Sequence, residues 1–353
     1  MGYKIAIVGV TGRVGREVLS ILAEFQDEKK ILIDSVIALA SKKSERKKVS
    51  FGDEELTVSC LEDYNFAGID IAIFCAGYHV SEKYVPVATQ TGCIVIDNSS
   101  HFRMKEGVPL IIPEINKEKI IEYKNHNIIS NPNCTIIQML LVLHLLHQKA
   151  KIKRIVTSTY QSTSGAGKAA MDELYNQTKK IFMNEAKKPE VFPKQIAFNC
   201  IPHIGEFMEN GSTKEEWKMQ EETKKILGEG IKVTATCVRV PVFIGHAMAV
   251  NVEFDQHITE ERAREVLSGA EDNGVLVYDR HEDGEYATQI DVVQEDAVYV
   301  SRIRKDNTVE HGLNMWIVAD NLRKGAALNI VQILEILIRE HLSIKCVQGA
   351  CTL

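Results

Sequence analysis

Cys134, in Ser130-Asn131-Pro132-Asn133-Cys134-Thr135, is the residue of this sequence best placed to act as a nucleophile. Pro132 disfavours helix just before it, and the apolar run from Ile136 to Leu146 favours helix just after it. The spacing therefore predicts a cysteine on a strand-to-helix turn. There, free N–H groups and the positive helix end lower a thiol pKa and favour thiolate. A lone cysteine is more often a structural residue, so the chemical reading depends on what surrounds it.

Gly9-Val10-Thr11-Gly12-Arg13-Val14-Gly15 supplies the first part of that context. It follows a β-branched run and opens an amphipathic helical pattern, where glycines let the backbone turn tightly and approach a pyrophosphate resting on the helix N-terminus. The alternative is a tight turn with no ligand. The second strand pattern ends at Leu39-Ala40 with no Asp or Glu to take a ribose 2′-hydroxyl. Ser41-Lys42-Lys43-Ser44 follows, with cations and hydroxyls suited to a 2′-phosphate, so NADP is expected over NAD.

Other polar residues stand in apolar or glycine-rich settings. His246, in Gly245-His246-Ala247, is a structural histidine unless a cysteine faces it, in which case it is the natural acid and base. Arg239 lies within an apolar strand pattern and Arg103 in a polar loop after Asp97-Asn98-Ser99-Ser100; a guanidinium in such a place needs an anionic partner, internal or bound. Glu215 and Lys218 share a helix face, as a surface ion pair or as two signs offered to a ligand. Tyr160-Gln161-Ser162-Thr163-Ser164-Gly165-Ala166-Gly167 ends a strand in a small-residue loop.

The elements that must position these residues fall into two patterns. Up to about residue 130, short β-branched runs alternate with helical ones, which implies parallel strands with crossover helices. Beyond Cys134, longer runs such as Ile152 to Tyr160, Val233 to Val242, Ala247 to Phe254, Val298 to Ile303 and Gly312 to Val318 alternate with period two and predict a mostly antiparallel sheet. A final helix, from about Ala326 to Glu340, carries an apolar face able to pack on the first domain.

A chain of 353 residues is long enough for two domains, and 45% hydrophobic with 25% charged residues is ordinary globular composition. Its net charge of −6, spread along the chain, gives no reason to expect nucleic acid or a membrane as partner. The N-terminus runs straight into the first strand pattern with no signal peptide, which predicts a cytoplasmic protein. Eight cysteines without repeated spacing argue against a disulfide framework or a metal cluster.

Taken in order, these motifs resemble aspartate-semialdehyde dehydrogenase of the shorter bacterial form. The likeness rests on Gly9-x-Thr11-Gly12-x-x-Gly15, Asp97 to Ser100 with Arg103, Asn131 to Cys134, Tyr160-Gln161 through Gly167, Glu215 to Lys218, Arg239-Val240-Pro241, Gly245-His246, and Asp320 to Ala327. It implies a Rossmann-type parallel-sheet NADP-binding domain over 1–132, with a C-terminal helix over 321–353 packing back on it. An α+β catalytic and dimerisation domain follows over 133–320. It also implies reduction of L-aspartyl 4-phosphate to L-aspartate 4-semialdehyde, a step toward lysine, threonine and methionine, by a homodimer.

Residue by residue, the resemblance makes Cys134 the acyl-thioester nucleophile and His246 the general acid and base. Gln161 would orient the acyl group, and Asn133 with the Cys134 amide would stabilise its oxyanion. Arg239 and Glu215 would hold the amino acid's carboxylate and ammonium, with Arg103 and Lys218 on phosphate. Gly9, Thr11, Gly12, Arg13, Val14, Lys43, Ser44, Ser164, Gly165 and Asn321 would contact NADP. The sequence departs from the family pattern at Ala247-Met248, where Ser-Glu is usual, and at Cys75, where Ser is usual. These bear on the support of the histidine and on one cofactor hydrogen bond. Rival readings are N-acetyl-γ-glutamyl-phosphate reductase and a non-catalytic NADP-binding sensor.

Overall fold

The computed structural model describes residues 2–185, 188–280 and 284–342, which form two compact units. Residues 2–132 with 326–342 make the first, and Asn133–Gly325 the second. The expected C-terminal segment 343–353 lies outside the described residues.

The first unit is built on a six-stranded sheet in which every pairing is parallel. Its spatial order is Ser59–Cys60, Ile33–Ala40, Tyr3–Val8, Ile71–Phe74, Ile94–Asp97 and Ile128–Ser130. The chain thus winds outward in one direction from Tyr3–Val8 and then in the other, which creates a crevice at the carboxyl ends of the central strands, where such sheets bind ligands. Near-continuous apolar strands (Ile5, Ala6, Ile7, Val8; Ile71 to Phe74) are buried, as a sheet covered on both faces requires. Helix Arg13–Asp27 lays Val18, Leu19, Ile21, Leu22 and Phe25 on one buried face.

Expected as one continuous helix, the last segment is instead an α-helix over Leu328–Ile336 with a wider turn at each end. Bonds five residues apart, Gly325 N–H to Asp320 O and Leu342 N–H to Leu337 O, make these turns. Ile330, Val331, Ile333, Leu334 and Leu337 share a core cluster with Tyr3, Ile5 and Ile7.

The second unit carries a mixed six-stranded sheet ordered Lys232–Arg239, Ile152–Gln161, His246–Phe254, Gly312–Ala319, Val298–Asp306 and Val275–Val277. The three inner pairings are antiparallel and the two outermost parallel. Helix Cys134–His147 is apolar nearly all round and almost wholly buried. No described helix is long and apolar enough to cross a membrane, and no group of three or more His, Cys, Asp or Glu among the described residues could hold a metal ion.

Candidate active site

Sheet register assembles the centre of the site. Gln161 ends its strand opposite Arg239 on one side and opposite His246 on the other. Directly paired residues on neighbouring strands project to the same face, so three residues from distant parts of the sequence stand in one row. All three are buried.

Cys134 is the first residue of its helix, as the Pro132 break predicts. Asn133 caps that helix: its Oδ1 accepts from Thr135 N–H at 2.9 Å and from Thr135 Oγ1 at 2.6 Å. The Asn133 N–H donates to the buried Glu222 carboxylate at 2.7 Å, so the turn that presents the sulfur is held at both ends. One turn along, Gln138 Nε2 donates to the main-chain carbonyl of His246 at 3.1 Å, tying the cysteine helix to the histidine strand.

Glu215 joins these pieces from helix Lys214–Leu227. Thr213 and Glu216 form a capping box at its start, and Glu216 also accepts Cys237 N–H at 3.1 Å, fixing the helix end to strand Lys232–Arg239. Glu215 Oε1 accepts from Asn133 Nδ2 at 3.1 Å and Gln161 Nε2 at 3.0 Å, while Oε2 accepts from Lys218 Nζ at 2.9 Å. A carboxylate offers about four acceptor sites, so one further donor can be taken. Burial alone would raise the Glu215 pKa; the Lys218 charge and the bonds from Gln161, Lys218 and Asn133 outweigh it and hold the group at about 2. A carboxylate can only accept, so both neighbouring amides must turn their nitrogens to it. Gln161 Oε1 is thereby left buried and without a partner among the described residues.

These contacts modify three expected roles. Asn133 spends its Oδ1 on the helix cap and one amide hydrogen on Glu215, which makes it first a structural cap. Lys218 is paired to Glu215 rather than standing apart as a free phosphate group. Arg103 is not in an adjustable loop: it is buried, with Nε bonded to Asn131 O and Nη2 to Asn98 O, each at 2.9 Å. Asp97, which accepts from Ser81 Oγ and Ser99 Oγ at 2.7 Å each, anchors the start of that loop.

Arg239 Nη1 donates to Ser162 O at 2.7 Å. Its neighbour Gly165 has no side chain for a reason that the packing shows: a Cβ there would sit 3.0 Å from Arg239 Nη1 and 3.0 Å from His246 Nε2. Ser162 Oγ, Ser164 Oγ and Gly245 N–H converge on Asn321 Oδ1 at 3.2, 3.1 and 2.9 Å. Ser164 and Asn321 therefore brace the small-residue loop. Ala247 and Met248, where the sequence departs from its resemblance, are fully buried apolar residues. His246 takes its support from Ser162 and Gln138 instead.

Burial, followed by the positive charge of Arg239, lowers the His246 pKa to about 3. The ring is therefore neutral when folded but ionises near its ordinary value of about 6.5 when unfolded. Between these two values the unfolded chain binds more protons, so the contribution of His246 to stability rises with pH and is lost as pH falls from about 6.5 toward 3. Replacing His246 by Gln should flatten the dependence of urea midpoint on pH between pH 4.5 and 6.5, relative to the native chain, where Glu215 remains ionised in both.

In the first unit, Gly9 turns with φ of +85°, and a Cβ on Gly15 would meet Gly9 O at 2.5 Å, so only glycine permits this helix to start so close to the strand. Helix Arg13–Asp27 begins at Gly12 with no side-chain cap and no acidic residue in its first turn, leaving its N–H groups to an anion. Lys42–Ser44 forms a short turn directly after strand Ile33–Ala40, with Ser44 Oγ 3.5 Å from Thr11 Oγ1. A pyrophosphate on the glycine turn and a 2′-phosphate near Lys43 and Ser44 fit these residues.

Sequence reasoning missed Gln138, Glu222 and Ser162. Gln138 had a signal, being a lone amide inside an apolar helical run; Glu222 and Ser162 had none, since their partners are set by tertiary contact.

Comparison with known proteins agrees with this geometry. The family described as semialdehyde dehydrogenase, NAD binding domain, matches residues 4–123, and semialdehyde dehydrogenase, dimerisation domain, matches 143–324. Aspartate-semialdehyde dehydrogenase of Rickettsia bellii is 51% identical over 340 residues, 96% of this chain and 99% of that one. The enzyme of Aquifex aeolicus is 49% identical over 97% of this chain and 100% of its own length. Among solved structures, aspartate semialdehyde dehydrogenase II of Vibrio cholerae complexed with ASA superposes with a TM-score of 0.92 at 44% identity, covering 97% of this chain and all of the other. With a parallel-sheet unit that fits a nicotinamide dinucleotide, a helix-start cysteine and these relatives over nearly the whole length, the chain belongs to the aspartate-semialdehyde dehydrogenase family.

Proposed function

We propose that the chain catalyses the NADPH-dependent reductive dephosphorylation of L-aspartyl 4-phosphate to L-aspartate 4-semialdehyde through a thioester on Cys134, in the biosynthesis of lysine, threonine and methionine. One observation carries this reading: a helix-start cysteine shares one compact unit with a row of Arg239, Gln161 and His246, backed by an ionised, buried Glu215. An amino acid with a reactive acyl group at its far end needs an anion site, a cation site and a nucleophile.

The helix N-terminus stabilises the Cys134 thiolate, which attacks the acyl carbon as phosphate leaves with the C–O electron pair. Arg239 receives the α-carboxylate through the part of its guanidinium not used by Ser162. Glu215 takes the ammonium at its remaining acceptor site, and the unpartnered Gln161 Oε1 accepts a second hydrogen from the same group. A bound nicotinamide supplies the hydride that reduces the thioester. Collapse of the thiohemiacetal then releases the aldehyde and restores the cysteine. Arg103 and Lys218 are assigned to phosphate, Lys218 exchanging part of its bond with Glu215 for that anion.

The first unit is assigned to NADP and the second to catalysis and a homodimer, the latter in keeping with the dimerisation domain it matches. A cytoplasmic location suits cysteines 60, 75, 93, 134, 200 and 237, all free thiols. Replacing Lys43 and Ser44 together by Ala should weaken NADP at least tenfold more than NAD in fluorescence titrations; equal losses would remove the 2′-phosphate assignment.

The rival N-acetyl-γ-glutamyl-phosphate reductase reading gives Glu215 nothing to pair with, because an acetylated amine is uncharged. Phosphate-dependent NADP reduction should proceed with aspartate semialdehyde and stay at background with N-acetylglutamate semialdehyde. Reduction with the second compound alone, or with neither, would overturn the reading.

A further inference from the structure

Helix Cys134–His147 buries every residue from Ile136 to Leu143, and Gln138 is the one polar side chain among them. Its Nε2 donates to the His246 main-chain carbonyl at 3.1 Å. A carbonyl only accepts, which fixes the orientation of the amide and leaves Gln138 Oε1 buried with no partner among the described residues. An unmet buried acceptor costs stability that methionine or leucine at the same place would not. Packing alone therefore argues against this residue, and the bond to His246 is what it supplies.

Cys134 lies one turn before Gln138, and residues four apart share a helix face. The main chain at His246 is pinned by other side chains too: Gly245 N–H donates to Asn321 Oδ1 at 2.9 Å, and Gln289 Nε2 donates to Gly245 O at 2.6 Å. Of these three side chains, Gln138 is the one that belongs to the helix that Cys134 begins. Against Cys134 itself lies Gly325, where a Cβ would come within 2.9 Å of the Cys134 Cβ. Gly325 is held in place by its own N–H bond to Asp320 O at 3.1 Å.

We propose that Gln138 is a positioning residue for the reaction: its amide sets the helix that presents Cys134 against the main chain that carries His246, so that nucleophile and acid–base histidine keep one separation through acylation and reduction. This rests on the Cys134 thioester reading above. The bond joins the main chain of His246 and not its ring, so it leaves the imidazole to its proton chemistry. With Gly325 packed on its Cβ, Cys134 has little room to compensate by itself for a shift of its helix. A displacement of about 1 Å between reacting groups costs on the order of 10²-fold in rate, and a helix released from its tether needs to move by only part of that to be felt.

Omitting phosphate stops the oxidative reaction at the thioester, so aspartate semialdehyde and NADP should yield a burst of one NADPH per active site. The amplitude of the burst counts competent sites, and its rate reports the chemistry in each. Gln138→Met keeps the length of the side chain without a donor or an unmet acceptor. In this variant the burst rate should fall about 10- to 10²-fold, while the amplitude and the semialdehyde KM stay near native and the urea midpoint is equal or higher. Gln138→Asn, an amide one methylene too short to reach, should show the same loss of rate with a lower midpoint, which separates rate from stability. A burst rate per site within about twofold of native in either variant would overturn the role, and a lower amplitude at that native rate would mark Gln138 as structural only. Peptide mass mapping of the native chain without phosphate separates this from the reading beneath it. No acyl adduct on Cys134 would end the thioester mechanism and this proposal with it, whereas an adduct with unchanged burst rates in the variants would overturn the role of Gln138 alone.

Discussion

Cys134→Ala should abolish turnover, with a loss of about 10⁴-fold or more in kcat, while NADP binds nearly as in the native chain. The size follows from the chemistry: without the sulfur the acyl group of L-aspartyl 4-phosphate forms no thioester, and no covalent intermediate is left to receive the hydride. The specificity follows from the fold, because Cys134 lies in the second compact unit whereas the glycine turn and Lys42–Ser44 belong to the first. The fold should survive, since the helix is capped by the Asn133 side chain and not by the sulfur. Single-turnover reduction, with cofactor affinity measured separately by fluorescence, checks both halves. Turnover within about tenfold of native would end the covalent mechanism.

The second large effect is expected from Arg239→Lys, which keeps a positive charge yet should lower kcat/KM for aspartate semialdehyde by about 10²-fold, roughly 2–3 kcal/mol. Arg239 is buried, and its guanidinium spans two jobs, one N–H on the Ser162 carbonyl and the rest free to meet a carboxylate in a planar fork. A lysine ammonium reaches only one of these, leaving either the carbonyl or the substrate unpaired in a dry site. Arg103→Lys should instead act on the phosphate term. It too should cost more than a change in a mobile loop would, because two main-chain carbonyls lose their donor. Steady-state kinetics with semialdehyde and phosphate varied separately distinguish the two. If Arg239→Lys moved mainly the phosphate term, the assignment of the two anion sites would have to be exchanged.

Much of this protein is legible in the sequence because its strongest signals are local. The glycine spacing after Val8 needs only the steric fact that a helix starts against a strand end, and Gly15 meets Gly9 as that spacing requires. Pro132 and the apolar run after it place Cys134 at a helix start through backbone restrictions that act over a few residues. Alternation with period two separated the second sheet from the first, and Arg239 stood out because a charged group in an apolar run needs a partner.

Only the tertiary structure decided what those partners are. Arg239, Gln161 and His246 form a row because of strand register between segments far apart in sequence, and register is set by packing of whole strands. Glu215 and Lys218, three residues apart, read more readily as a surface ion pair than as two ligand contacts; burial of Glu215 among Asn133 and Gln161 made the pair the hub of the site. Arg103 read as a loop residue and became a pinned, buried one because Asn98 and Asn131 turn their carbonyls to it. The protonation of His246 was the least legible of all: its type alone gives an acid and base near neutrality. Burial and the nearby Arg239 charge make it a neutral ring, since desolvation and neighbouring charge are properties of the folded surroundings and not of the residue.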